Sequence, residues 1–148
     1  YFMENQYFTT LQNAGIRPSV QRIAIYEYLC TMKNHPTADT VHQALEKKYP
    51  TLSRTTCYNT LKLFEEQKIV QSIQIEDEAV RYDADTSEHF HFKCLCCQNI
   101  FDIPLSENNS FNINVQQSLP DDFLAMKIQT NIWGICPSCK TITSSQNS

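Results

Sequence analysis

Glycine is almost missing from this chain: two residues in 148, Gly15 and Gly134. Reversals of direction therefore have to rest on Pro, Asn, Asp and Ser. Long apolar runs are missing as well. No stretch approaches the roughly 18 apolar residues of a membrane-spanning helix, and no charged-then-apolar leader of the secretory kind opens the chain. The expectation is a cytoplasmic protein with Met3 as its natural start. Internal repeats are absent apart from two short cysteine knuckles. Excess positive charge is absent too: the formal net charge is −4, which taken alone argues against nucleic acid. That total hides an asymmetry. Residues 1–73 carry eight Lys/Arg against six Asp/Glu, whereas residues 74–148 carry four against ten. A mildly basic front half and an acidic back half point to two modules with different partners.

Cysteine, by contrast, is abundant, with seven residues. Four of them form two C-x-x-C pairs, Cys94/Cys97 and Cys136/Cys139. Without an export signal, metal thiolates are the better reading than a disulfide framework. A C-x-x-C turn brings two thiolates to one ion, and two such turns complete a tetrahedral S₄ zinc site. The pairs stand 38 residues apart, so the ion would staple the two ends of a domain and contribute to its folding. Cys96 falls outside this spacing and reads as a spare thiol. Cys30 and Cys57 read as small apolar residues on helices.

Residues 4–14 read as a short helix closed by Gly15. Pro18 sits in the first turn of a second helix, with Val20, Ile23, Ala24, Tyr28 and Leu29 on its apolar face. Pro36 and Thr37 introduce a third, with Val41, Ala44 and Leu45 at helical spacing. Ser53 caps a fourth, from which Leu61 and Phe64 face inward. The period then changes. Ile73, Ile75, Val80 and Tyr82 alternate around the acidic turn Glu76-Asp77-Glu78, a two-stranded hairpin. Helices followed by such a hairpin form a winged helix-turn-helix. Past a linker at 84–88, strands are expected at 89–92, 100–105 and 126–135, with a short helix at 111–119 closed by Pro120. The tail 143–148 is expected to be disordered. The chain is thus α+β.

The stretch HFHFKCLCC (89–97) mixes two chemistries. On a strand, His89 and His91 point to one face and Phe90 and Phe92 to the other. Two imidazoles on one face begin a harder divalent site, suited to Fe²⁺, Mn²⁺ or Zn²⁺. His35, Asp83, Asp85, Glu88 and Asp102 are all available to complete it, and spacing does not choose among them.

At this point the chain resembles the ferric uptake regulator family of metal-responsive repressors. The segments RPSVQRIAIYEYL (17–29), HPTADTVHQAL (35–45), SRTTCYNTLKLFEE (53–66) and RYDADTSEHFHFKCLCCQNIFDI (81–103), with the terminal CPSC, carry the likeness. The resemblance implies a winged-helix DNA-binding domain at 1–83, a hinge at 84–88 and a dimerisation and metal-binding domain at 89–148. It implies a homodimer on an AT-rich inverted repeat of double-stranded DNA. Cys94, Cys97, Cys136 and Cys139 would hold structural Zn²⁺. The chain looks most like the peroxide-sensing branch, whose regulatory Fe²⁺ or Mn²⁺ site falls here on His35, Asp83, His89, His91 and Asp102. His35 and His89 would be the oxidation-sensitive ligands. Iron-responsive members typically have glutamate in place of Asp102 and arginine in place of Asn59; an iron- or zinc-responsive repressor is the alternative. A further family site is lost here, Ile128 standing where its histidine would be. A helix bearing Ser53, Thr55, Thr56, Tyr58, Asn59 and Lys62 suits a DNA major groove, and Arg17 resembles a residue near the DNA backbone or minor groove. No catalytic motif is visible.

Overall fold

Three hydroxyl side chains start the helices of the N-terminal half in the same way. Ser19, Thr37 and Ser53 each hold an extended backbone and accept the N–H three residues on, from Arg22 (3.2 Å), Thr40 (3.1 Å) and Thr56 (3.0 Å). Each satisfies a donor that the first helical turn leaves unpaired. The computed structural model describes residues 5–106 and 111–145, without the side chains of 111–114 and 143–145. These form two compact units, Tyr1–Thr86 and Ser87–Ser148.

The first unit runs α1 (Gln6–Asn13), α2 (Val20–Met32), α3 (Ala38–Leu45), α4 (Arg54–Glu66), β1 (Gln71–Ile73) and β2 (Arg81–Asp83). Gly15, at φ +74°, closes α1, where the reversal needs the left-handed region that glycine enters without strain. Leu11, Ile25, Val41, Leu61 and Phe64 are sealed in one core. Tyr26 packs edge-on between Tyr7 and Phe64, with centroids 6.0 and 5.7 Å away. The strands β1 and β2 pair antiparallel, Ser72 opposite Tyr82, and make the wing.

Three expectations need correcting here. Pro18 precedes the cap rather than sitting in the first turn of α2, because Ser19 is the cap and its hydroxyl accepts the Arg22 N–H. Val20, at the first helical position, is 68% exposed, while Ala24 and Leu29 of the expected face are buried together with Ile25 and Tyr26. Val20 lies five residues from Ile25, about 140° round the helix, and cannot share its face. Ala44 is likewise exposed, leaving Val41 and Leu45 to face inward from α3.

The second unit is β3 (His89–Cys94), β4 (Ile100–Pro104), α5 (Phe111–Ser118), β5 (Asn131–Gly134) and α6 (Pro137–Ser145). The sheet order is β4-β3-β5, antiparallel on one side of β3 and parallel on the other. The third strand is shorter than its expected span, because Met126 and its neighbours Phe123 and Leu124 lie exposed in the preceding loop. The expected disordered tail is partly helix. From the second knuckle onward α6 builds through Ser145, its first turn closed by Lys140 N–H donating to the Cys136 carbonyl at 2.9 Å; residues 146–148 lie outside the described residues. Among the described residues of this unit, the buried hydrophobic side chains are Cys94 and Cys136. Those residues also include no helix long and apolar enough to cross a membrane.

Candidate metal centres and recognition helix

The four knuckle cysteines converge. One sulfur from each of Cys94, Cys97, Cys136 and Cys139 lies within 4.8 Å of the others, and Cys97 Sγ is 3.8 Å from Cys136 Sγ. A disulfide would need about 2.05 Å. A tetrahedral ion with Zn–S bonds of about 2.3 Å separates its sulfurs by about 3.8 Å. The donor set therefore fits a closed S₄ zinc site. Electrostatics agree. The N–H groups of Cys136 and Cys97 donate to the Cys94 sulfur and lower its pKa to about 6, while proton sharing with Cys136 and burial push Cys139 up to about 12. Four crowded thiols cannot all ionise unaided, and a dication allows it. Gln98 closes the first knuckle at φ +64°, and its Nε2 donates across the turn to the Leu95 carbonyl at 2.8 Å. Cys96 is exposed and takes no part in the cluster. Cys57 is sealed in the first core, and burial raises its thiol to about 11.

Harder donors stand in both units. In the second, β3 and β4 set His91 directly opposite Asp102, so those side chains share a face, and His89 shares it by alternation. His89 Nε2 lies 2.9 Å from His91 Nε2 and 3.1 Å from Asp102 Oδ1, and His91 Nε2 lies 3.6 Å from the same oxygen. Ligands at 90° around an ion with bonds of about 2.1 Å stand about 3.0 Å apart. His89 Nδ1 sits 2.9 Å from the Ser87 carbonyl. A carbonyl only accepts, so Nδ1 carries the proton and Nε2 keeps its lone pair for a metal. In the first unit, His35 Nε2 lies 3.5 Å from Asp83 Oδ2, both side chains buried. The Asp85 N–H donates to the other Asp83 oxygen at 2.8 Å, which fixes the carboxylate. Asp85 and Glu88 themselves are exposed.

On α4 the exposed face presents Arg54, Thr55, Tyr58, Asn59 and Lys62. Ser53 and Thr56 are engaged with each other at the cap, their hydroxyl oxygens 2.8 Å apart. Arg17 is exposed ahead of α2, its carbonyl accepting from Arg22 Nη1 at 2.7 Å. Arg54 was not among the sequence-predicted residues. It stands beside Ser53 in the same SRTT stretch, 3.5 Å from Asp39 of α3, and its place one residue inside the cap was the available signal.

A family model described as "Ferric uptake regulator family" matches residues 13–119. The chain belongs to the ferric uptake regulator family. Among its relatives, the peroxide-responsive repressor PerR of Staphylococcus epidermidis is 35% identical over 131 residues, covering 88% of this chain and 86% of that one. Among solved structures, the Vibrio cholerae ferric uptake regulator superposes with a TM-score of 0.69 at 19% identity, over 87% of this chain and 98% of that one. PerR from Streptococcus pyogenes, solved for peroxide sensing and gene regulation, gives 0.50 at 26% identity over 90% of each. As a family member the chain is a metal-responsive repressor and not an enzyme. Its α+β fold is that of the ferric uptake regulators, with a Cys₄ cluster in the C-terminal unit that can take zinc.

Proposed function

We propose that the chain is a cytoplasmic, homodimeric repressor that senses hydrogen peroxide. Its affinity for an AT-rich inverted repeat depends on Fe²⁺ or Mn²⁺ held jointly by His35, Asp83, His89, His91 and Asp102. The observation that carries this reading is the donor geometry on β3 and β4: imidazole and carboxylate atoms 2.9 and 3.1 Å apart suit neighbouring positions on one divalent ion. The buried pair His35 and Asp83 supplies donors of the same kind from the other unit. The 35% identity to a peroxide-responsive repressor favours the peroxide branch.

In this reading the four thiolates keep the C-terminal unit assembled, with Zn²⁺ closed off by sulfur. Dimerisation falls to the same unit. One face of its sheet exposes Phe101 and Ile103 on β4 and Ile132 on β5, an apolar surface that a second copy would cover. The units act as 1–83 for DNA and 89–148 for metal and dimer, joined by a hinge at 84–88. Thr55, Tyr58, Asn59 and Lys62 read the major groove, with Ser53 and Thr56 holding the helix start and Arg17 near the backbone. Ligands drawn from both units restrict their relative orientation, and the preference for the DNA-competent arrangement is worth on the order of 1–3 kcal/mol.

Bound Fe²⁺ would supply one-electron reduction of peroxide beside the imidazoles, chemistry that Mn²⁺ does not share. An oxidised His35 or His89 ring donates its lone pair less well, the units come apart from their common geometry, and the operator is released. The test is a mobility-shift titration of Fe²⁺-loaded and Mn²⁺-loaded protein with peroxide. Release is expected with iron alone. Release with both metals, or with neither, overturns the peroxide reading; in the second case an iron- or zinc-responsive repressor takes its place. His35→Ala is expected to keep zinc and dimer but lose metal-dependent DNA binding.

A further inference from the structure

His35 is held in an unusual way for a side chain meant to meet a metal. It follows the end of α2, where Lys33 (φ +46°) and His35 itself (φ +47°) both occupy the left-handed region without being glycine. A backbone of this kind persists where its surroundings hold it. Here the holding group is Arg81. Its Nη1 donates to the His35 carbonyl at 3.1 Å, the next residue's N–H, Tyr82, donates to the Pro36 carbonyl at 2.9 Å, and Arg81 bridges to Thr37. The rest of the Arg81 fork is occupied side-on by Glu76, with Nε to Oε2 at 3.1 Å and Nη2 to Oε1 at 2.9 Å. The pair is partly buried. A bidentate carboxylate fixes the plane of a guanidinium, so Glu76 dictates where Nη1 points.

Arg81 also stands two residues before Asp83 on β2, on the same strand face. One short strand therefore supplies both the carboxylate and the clamp that aims His35 at it. We infer that Arg81, oriented by Glu76 at the tip of the wing, is the positioning residue of the His35/Asp83 half-site, so that wing and metal ligand move as one piece. The inference rests on the metal reading above. Outer partners that orient ligands typically matter 10–100-fold in metal affinity.

The test uses full-length, zinc-loaded protein, with Mn²⁺ affinity followed by electron paramagnetic resonance of the free ion and folding by thermal denaturation. His35→Ala and Asp83→Asn are each expected to weaken Mn²⁺ at least 100-fold; if both leave it unchanged, the metal reading itself fails. With those losses in hand, Glu76→Gln and Arg81→Lys are each expected to weaken Mn²⁺ about 10-fold or more at unchanged zinc content, and an effect below twofold overturns the positioning role. The exchange Glu76→Arg with Arg81→Glu separates aim from mere stability. It rebuilds the ion pair but leaves no guanidinium at 81 to reach the His35 carbonyl. Recovery of thermal stability without recovery of Mn²⁺ affinity is expected, and recovery of both overturns the proposal.

Discussion

Replacing Cys136 by Ser should separate the two units energetically. A zinc ion bridging Cys97 and Cys136 would close a loop of about 40 residues, which on chain entropy alone is worth about 4 kcal/mol at 25 °C. Coordination adds to this, since structural zinc typically contributes on the order of 10 kcal/mol or more. Against these stands a weak apolar core: among the described residues of the second unit, the buried hydrophobic side chains are two of the four knuckle cysteines, Cys94 and Cys136. A domain holds only about 5–15 kcal/mol in total, so losing one ligand should exceed what remains. The first unit has its own sealed core of Leu11, Ile25, Val41, Leu61 and Phe64 and should survive. The assay is hydrogen exchange with mass spectrometry, alongside zinc analysis. Amides of β3 and β5, including Leu95 N–H on the Gly134 carbonyl and His91 N–H on the Thr130 carbonyl, should lose protection as zinc falls from one per chain to none. Helices α2 and α4 should keep theirs. A zinc-free variant with β3 and β5 still protected would refute the staple.

Three further outcomes follow from the coordinates. Gly134→Ala places a Cβ 2.8 Å from Phe92 Cζ, so the ring must shift, at a cost of about 1–3 kcal/mol measurable by denaturant titration and relieved by adding Phe92→Leu. Cys57 has its pKa raised from 9.0 to about 11 by burial, so its contribution to stability is full below pH 9 and is lost as pH rises towards 11, on the order of 2–3 kcal/mol. Cys57→Ala should show a shallower loss of stability than the parent across that window, and an identical slope would contradict the assignment. Lys62→Ala should reduce the salt dependence of operator binding by about one phosphate contact without changing sequence preference, seen as a shallower log–log slope in mobility-shift titrations.

The elements that read clearly from sequence are those whose cause is local. Ser53 caps α4 because its hydroxyl reaches a nearby N–H, and the knuckle cysteines meet because C-x-x-C turns are local geometry. The pairing of Asp102 with His91 was not legible, since it depends on strand register across the β3–β4 turn. Nor was the exposure of Val20, which stands at the first position of α2. The left-handed backbone of Gln98, where its amide donates back to the Leu95 carbonyl, was not legible either, because the residue is not glycine. The contact of Arg81 with the His35 carbonyl spans 46 residues and has no sequence signature beyond an arginine near an acidic turn.

The stretch 89–97 keeps two metal chemistries apart by the simplest device a strand offers. His89 and His91 face one side of β3 and Cys94, at an even position, faces the other, where the Cys136 N–H meets its sulfur at 3.3 Å. Alternation therefore sets the Cys94 sulfur and the two imidazoles on opposite faces, although His91 and Cys94 are three residues apart. Inserting a single residue between His91 and Cys94 would move the sulfur onto the imidazole face and break the parallel register that sets Cys94 beside Gly134. Such a variant should lose zinc and fold together, whereas His89→Ala and His91→Ala should keep both. If the histidine variants also lost zinc, the two sites would be one, and the separation argued from alternation would be wrong.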